Sequence, residues 1–291
     1  MVMSMNILEF KELVANGPVL LDGATGSNLM SVGMPTGACT EQWVLEHPDT
    51  LIDLQRRYVK AGTQIIYAPT FSANCVALKK YKLENQLAEM IPKLVALSKT
   101  AANDSCYVAG DLTTTGDIMI TYDEALSVYE EQISHLAKAG VDLLIAETML
   151  SKTEALAAVT AAKNTCDLPF MCSFTIMPTG FLYFGGTILE VALELQEAGA
   201  AAVGINCSAG PTELKDFVTS LSDNLDIPVI LKPNAGMPEI NAEGKAVYNM
   251  SSATFSSEMK ALVDLGATIV GGCCGTTPEY IEALKNVLAI N

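Results

Sequence analysis

Three cysteines are set apart from the rest by their neighbours. Cys207 falls in the string GINCSAGP, and Cys273 and Cys274 are adjacent in VGGCCGTTP. Each string begins as an apolar, strand-like run and ends among glycines, which let a backbone bend sharply around a ligand. Thiolates are soft ligands, and three of them favour a tetrahedral zinc site with its fourth position open. Consecutive residues of a regular strand point to opposite faces, so a vicinal pair can grip one ion only where the strand has ended. Gly271, Gly272 and Gly275 supply that freedom. Three thiolates on Zn2+ leave a net charge of about −1, a weak Lewis acid poorly suited to activating water. Such a centre suits a thiol substrate, whose sulfur it would keep deprotonated and electron-rich. Asn234, ending the apolar run between those that carry the cysteines, is expected to offer its carbonyl oxygen to the open position. The same residues also admit two core thiols or a vicinal disulfide, and Gly271-Gly272 admits a phosphate-binding turn.

The elements that must position these groups follow one rhythm. Apolar, β-branched runs recur as PVLLDG, QIIYAPT, CYVAGDL, DLLIAET, FMCSFTI, AAVGINC, PVILKPN and ATIVGGCC, each followed by a helical stretch. Residues 123–138 have apolar positions at helical spacing, an acidic start and a basic end, with Gly140 as the stop. Near the C-terminus Thr277 is an expected helix cap, with Pro278 in the first helical position. Eight nearly uniformly apolar strands alternating with helices imply a parallel sheet covered on both faces or closed on itself. The length favours a single-domain (β/α)8 barrel over residues 1–291; an open doubly wound sheet is the alternative. Barrel active sites form at the C-terminal ends of the strands, where Asp22, Asp111, Glu147, Asn206, Cys207, Asn234, Cys273 and Cys274 fall.

Composition narrows the function further. The 291 residues carry 17 Lys and Arg against 33 Asp and Glu, a net charge of −16. That balance repels phosphate backbones and anionic lipid, so nucleic-acid binding and membrane-surface docking are not expected. No apolar stretch reaches the roughly 18 residues of a membrane span. Eight cysteines are too sparse for a disulfide scaffold, and Cys39, Cys75, Cys106, Cys166 and Cys172 read as small hydrophobes or unremarkable thiols. A soluble, cytoplasmic protein is expected. His47 and His135 lie away from the strand ends and read as structural. Trp43 reads as packing, and Tyr183 and Phe184 as either a lid or packing. No phosphate-binding loop of the Walker or GxGxxG type is present.

The strings DGATG, TFSAN, AET, GINCSAGP, PNAG and GGCCGTTPEYI together resemble the zinc-dependent homocysteine S-methyltransferases. Within that family the chain is most similar to the homocysteine-binding module of cobalamin-dependent methionine synthase, over residues 18–288. The resemblance implies a (β/α)8 barrel that binds zinc through Cys207, Cys273 and Cys274, with Asn234 beside the metal. It implies that Asp22 and Glu147 hold the amino group of homocysteine, and that the backbone amides of Gly23, Ala24 and Thr25 hold its carboxylate. No covalent intermediate with the protein is implied. The sequence carries no folate or cobalamin domain, so the expected methyl donor is methylcobalamin on a separate corrinoid protein. A free sulfonium such as S-methylmethionine is the alternative donor, and a non-catalytic zinc-thiolate protein that binds homocysteine is the alternative class. Two departures bear on the pocket. GDLTTTG stands where a GDIGPTG-like string is common, and Lys232 precedes PNAG where an acidic residue is common. Alternation puts Lys232 on the same strand face as Asn234, either paired to a barrel carboxylate or serving as the nucleophile of an unrelated Schiff-base lyase.

Overall fold

A computed structural model describes residues 5–241 and 246–290. Eight parallel strands carry the fold: β1 (Val19–Leu20), β2 (Ile65–Tyr67), β3 (Tyr107–Leu112), β4 (Leu143–Met149), β5 (Phe170–Phe174), β6 (Ala202–Asn206), β7 (Val229–Lys232) and β8 (Ala267–Val270). Their order in the sheet is β1-β8-β7-β6-β5-β4-β3-β2. A parallel bridge from Leu21 to Ile65 and a 2.7 Å bond from Gln64 N–H to the Leu20 carbonyl join the two ends. The sheet closes into the expected (β/α)8 barrel, with no open edge left to cap. Each apolar run forms a barrel strand. The last one ends at Val270, Gly271 and Gly272 still donate to the Leu231 and Asp22 carbonyls, and the chain turns at Cys274 and Gly275, the latter at φ 82°, so the vicinal pair lies past the strand. A short antiparallel hairpin, Glu239–Ile240 with Ala246–Val247, rises from the loop after β7.

Strand alternation sorts the side chains into two apolar sets. Leu21, Ile65, Ala109, Leu143, Ile145, Met171, Ile230 and Ile269 fill the barrel interior. Met5 and Phe10, the latter on helix Ile7–Ala15, join them from before β1. The larger set lies between the sheet and its helices. Helix Tyr122–Lys138 begins at Thr121 with a capping box and ends before Gly140 at φ 82°, as its sequence predicts. Thr277 takes the cap position of helix Pro278–Leu288, but its hydroxyl makes no capping bond. Proline in the first turn, with its preset φ, defines that start instead. Among the described residues no helix is long and apolar enough to cross a membrane.

Above the apolar interior the same alternation changes chemistry. Asp111 follows Ala109 two residues on, Ser173 follows Met171, and Lys232 follows Ile230, so the inward row becomes polar toward the C-terminal rim. Gly204 is the tightest point beneath that rim, because a Cβ there would lie 1.9 Å from the Ile230 carbonyl oxygen of the next strand. Backbone cannot retreat as a flexible side chain can. Gly204→Ala is therefore expected to lose about 3 kcal/mol of stability or fail to accumulate as folded protein. Thermal and denaturant unfolding check this; a change within about 0.5 kcal/mol would contradict the close approach.

Candidate functional site

The ends of two strands, β6 and β8, bring the cysteines together. Cys207 follows β6 with φ 52°, a left-handed conformation that turns its side chain away from regular alternation. Its N–H donates to the Lys232 carbonyl at 3.1 Å, and Cys273 N–H donates to the Pro233 carbonyl at 2.8 Å. The Cys274 carbonyl accepts from Ala235 N–H at 2.9 Å, so the end of β7 and the loop after it tie both ligand loops in place. The sulfurs of Cys207, Cys273 and Cys274 all lie within 4.8 Å of one another, those of Cys207 and Cys274 being 3.6 Å apart. A tetrahedral zinc with Zn–S bonds of about 2.3 Å separates its sulfurs by roughly 3.8 Å, so the cluster fits such an ion. All eight cysteines are free, and the vicinal disulfide is not formed. Asn234 is buried in the loop after β7 and does not line the cavity beside the sulfurs; its N–H donates to the Ala209 carbonyl at 2.9 Å, and its Oδ1 has no hydrogen-bond partner among the described residues.

The thiols also polarise one another. Hydrogen bonds from Cys207 and Cys273 hold Cys274 down at about 3, as a thiolate. For Cys207, a hydrogen bond with Cys273 pulls the thiol down, but its bond to Cys274 and its burial outweigh that and push it up to about 12. A thiolate already present at neutral pH is a ready first ligand for a cation.

Next to the sulfurs lies a cavity of about 980 Å³, lined by Asp22, Glu147, Asp111 and Lys232 as well as by Cys207, Cys273 and Cys274. Lys232 Nζ stands 3.0 Å from Asp22 Oδ1 and 3.5 Å from Glu147 Oε2, over the Tyr67 ring at 3.7 Å. The other Asp22 oxygen accepts Tyr67 N–H at 2.8 Å. Lys232 is thus the partner of barrel carboxylates. Burial pulls its ammonium down, but Asp22 and Glu147 more than offset this and hold it charged well above its ordinary range. An ammonium so held is a poor amine nucleophile, which argues against the Schiff-base chemistry. Glu147 Oε2 has only the 3.5 Å ion pair with Lys232, and Asp111 Oδ1 has no hydrogen-bond partner among the described residues. Burial pushes the Asp111 carboxyl up, and the neighbouring Glu147 charge pushes it further.

The turn of Gly23, Ala24 and Thr25 forms one wall. Of its three amides, that of Ala24 is engaged, donating to Thr276 Oγ1 at 3.1 Å. Tyr58 Oη donates to the Ala24 carbonyl at 2.9 Å, and Asn28 Nδ2 bridges that carbonyl and the Thr276 carbonyl at 2.7 and 2.8 Å. A Cβ on Gly23 would stand 2.6 Å from Tyr58 Oη, so only glycine lets the turn pack this closely. Tyr58 and Asn28 carry no motif signal and were legible only in three dimensions, and the GGCCGTTP string that contains Thr276 does not show that it meets the Ala24 amide. Asn206, noted in the sequence only as a strand end, is fully buried behind the cluster, 4.0 Å from Cys273 Sγ. Tyr183 and Phe184 are exposed on the loop after β5 and do not line the cavity. His47 stacks on Trp43, ring centroids 4.2 Å apart, in a structural role.

A parallel eight-stranded barrel with a three-cysteine cluster and an acidic cavity at its C-terminal rim is a distinct class of architecture. The profile of the homocysteine S-methyltransferase family matches residues 19–288, and the chain belongs to that family. It is 27% identical over 302 aligned positions to methionine synthase of Mycobacterium leprae, covering 96% of this chain. With methionine synthase of Mycobacterium tuberculosis the identity is 26%, over 92% of this chain. The chain spans about a quarter of those relatives, 25% and 24% of their length. The metallated homocysteine methyltransferase MmuM of Escherichia coli shares the fold at a TM-score of 0.81 and 24% identity, over 97% of this chain and 99% of its own.

The Lys232 ion pair sets a pH-dependent expectation. Burial pushes the Asp22 and Glu147 carboxyls up, and Lys232 opposes it. Lys232→Met leaves two buried carboxylates unpaired, at an expected cost of about 3 kcal/mol or more near pH 8. Their folded-state values then lie further above the unfolded ones, so the deficit grows as pH rises and shrinks toward pH 5 as the carboxyls take up protons. Denaturant unfolding of both proteins at the two pH values measures this. A deficit equal at both would assign Lys232 to packing alone.

Proposed function

We propose that this chain transfers a methyl group to the sulfur of homocysteine, forming methionine, with zinc held by Cys207, Cys273 and Cys274. The observation that carries the reading is the convergence of three sulfurs beside the buried carboxylates of Asp22, Asp111 and Glu147 in one cavity. A metal store needs no amino-acid pocket, whereas a homocysteine site needs both halves. When bound, zinc lowers the pKa of an incoming thiol so that its sulfur is anionic at neutral pH and, among three thiolates, still nucleophilic.

The residues of the chain do the rest. Glu147, with Asp22 as the second carboxylate, receives the substrate ammonium. Lys232 balances Asp22, so the pair and the ammonium together bring the site close to neutrality. The Gly23 and Thr25 amides, which have no hydrogen-bond partner among the described residues, face the substrate carboxylate as anion donors. Asn234, whose Oδ1 has no hydrogen-bond partner among the described residues, would supply an oxygen ligand to the metal when the substrate sulfur is absent. The new bond joins that sulfur to the donor's methyl carbon, and the electron pair of the old bond leaves with the donor. No protein atom is alkylated on the way.

The reading includes a protein-borne donor, methylcobalamin on a separate corrinoid protein. Exposed apolar side chains ring the rim in support: Ile118 and Met119 after β3, Phe181 and Tyr183 after β5, Met237 and Ile240 after β7. Such a concentration of exposed apolar surface marks a contact face. A free onium donor such as S-methylmethionine is the second reading. It is favoured by the cavity's balance of four acids, Asp22, Glu41, Asp111 and Glu147, against one lysine, which attracts a small cation.

Zinc-loaded protein assayed for methionine with homocysteine and either methylcobalamin or S-methylmethionine tests both. Activity with methylcobalamin is expected. Activity with S-methylmethionine alone would establish the second reading, and failure of both would remove the transfer reading with these donors. Cys207→Ala is expected to lose zinc retention and activity together. Full activity in a metal-free variant would overturn the zinc assignment.

A further inference from the structure

Glu147 sits where its strand departs from regular pairing. Ala146 pairs with Cys172 and Met149 with Phe174, so β4 holds one residue more than β5 between those points. That is a β-bulge, a device that re-aims side chains. Because of it, the consecutive residues Glu147 and Thr148 both line the cavity. The bulge turns on Thr148 at φ 59°. For a β-branched residue this left-handed conformation is an outlier, and it persists only where the surroundings impose it.

What imposes it is the carboxamide of Asn206. Its Oδ1 accepts the Thr148 N–H at 2.9 Å and the Ser173 hydroxyl at 3.0 Å. Its Nδ2 donates to Thr148 Oγ1 at 2.7 Å and lies 4.0 Å from Cys273 Sγ. The side chain grips both the backbone and the hydroxyl of the strained residue, and Ser173, from the strand between, braces the grip. Asn206 is fully buried, so no water competes for these bonds.

We infer that Asn206 is a positioning residue for the substrate ammonium: by clamping Thr148 in its left-handed conformation, it fixes the bulge that aims Glu147 into the cavity. It acts through Thr148 and Glu147 without touching substrate. The inference rests on the assignment of Glu147 to the ammonium made above.

The test compares two ligands of zinc-loaded protein by calorimetry: homocysteine and 4-mercaptobutyrate, which keeps the thiol and carboxylate but lacks the amino group. Wild type prefers homocysteine, and Glu147→Ala loses that preference. Asn206→Ala is expected to lower the preference about tenfold, the scale of one hydrogen bond to a charged group. It should still bind 4-mercaptobutyrate as wild type does, with one zinc per chain. Adding Thr148→Gly is expected to bring the preference back to that of Thr148→Gly alone, because glycine adopts positive φ unaided. A merely structural role, or one through the Cys273 sulfur, predicts no such rescue. In metal-free protein the Thr148 amide should resist hydrogen exchange in wild type and exchange in Asn206→Ala. Should that variant not fold, Ser173→Ala loosens the same carboxamide and is expected to lower the preference in the same direction, again with rescue by Thr148→Gly. An undiminished preference, or a double variant no better than the single, overturns the clamp. A wild type that does not discriminate between the ligands overturns the Glu147 assignment, and the clamp with it.

Discussion

Parallel strands closed into a barrel send only alternate residues inward, and the site is built from where that rule holds and where it breaks. Where it holds, Asp111, Ser173, Asn206 and Lys232 form a polar row above an apolar interior. Where it breaks, the chain presents what alternation would hide. Thr148 and Cys207 adopt positive φ, and the chain after β8 leaves its neighbours past Gly272 and turns at Gly275. Those departures place Glu147 in the cavity and bring two vicinal sulfurs to a third. The other non-glycine residues with positive φ among the described ones, Lys82, Asn103, Asp104 and Ala289, lie at or next to helix ends; Thr148 and Cys207 are the two that lie at the site.

Charge is managed with similar economy. A buried lysine among carboxylates is costly unless it is well paired, and Lys232 meets that condition through Asp22, Glu147 and the face of Tyr67. Asp22 is left with both oxygens engaged, Glu147 Oε2 meets Lys232 at the longer distance of 3.5 Å, and Asp111 Oδ1 has no hydrogen-bond partner among the described residues. The cavity thus holds negative potential in specific places rather than as a diffuse field, which favours a ligand whose cation sits at a fixed distance from its sulfur.

The barrel was legible in the sequence because each strand is a short, uniformly apolar run ending in a polar residue. The cysteine trio was legible because glycines surround it, and the pairing of Lys232 because side-chain alternation has a period of two. Other parts were not. The capping role of Thr277 failed because a favourable residue type does not guarantee a bond, and the Ala24 amide proved to be occupied by Thr276, far away in the chain. Asn206 looked like an ordinary strand end, since a one-residue slip of register between β4 and β5 leaves no compositional mark. The support given by Tyr58 and Asn28 depends on helix packing, which a motif does not encode.

The ties between the first and last loops of the barrel also bear on how the molecule assembles. Ala24 N–H reaches Thr276 across 252 positions of sequence, and Asn28 reaches the Thr276 carbonyl across 248. Contacts so distant along the chain form late, after the loop-closure entropy between them has been overcome. During vectorial synthesis the DGATG turn emerges first, yet it gains its final supports only when the closing strand leaves the ribosome. Ligand competence is thereby deferred until the last barrel loop has been made, and a chain terminated before that loop would fold much of its barrel wall without acquiring a mouth that can grip its substrate.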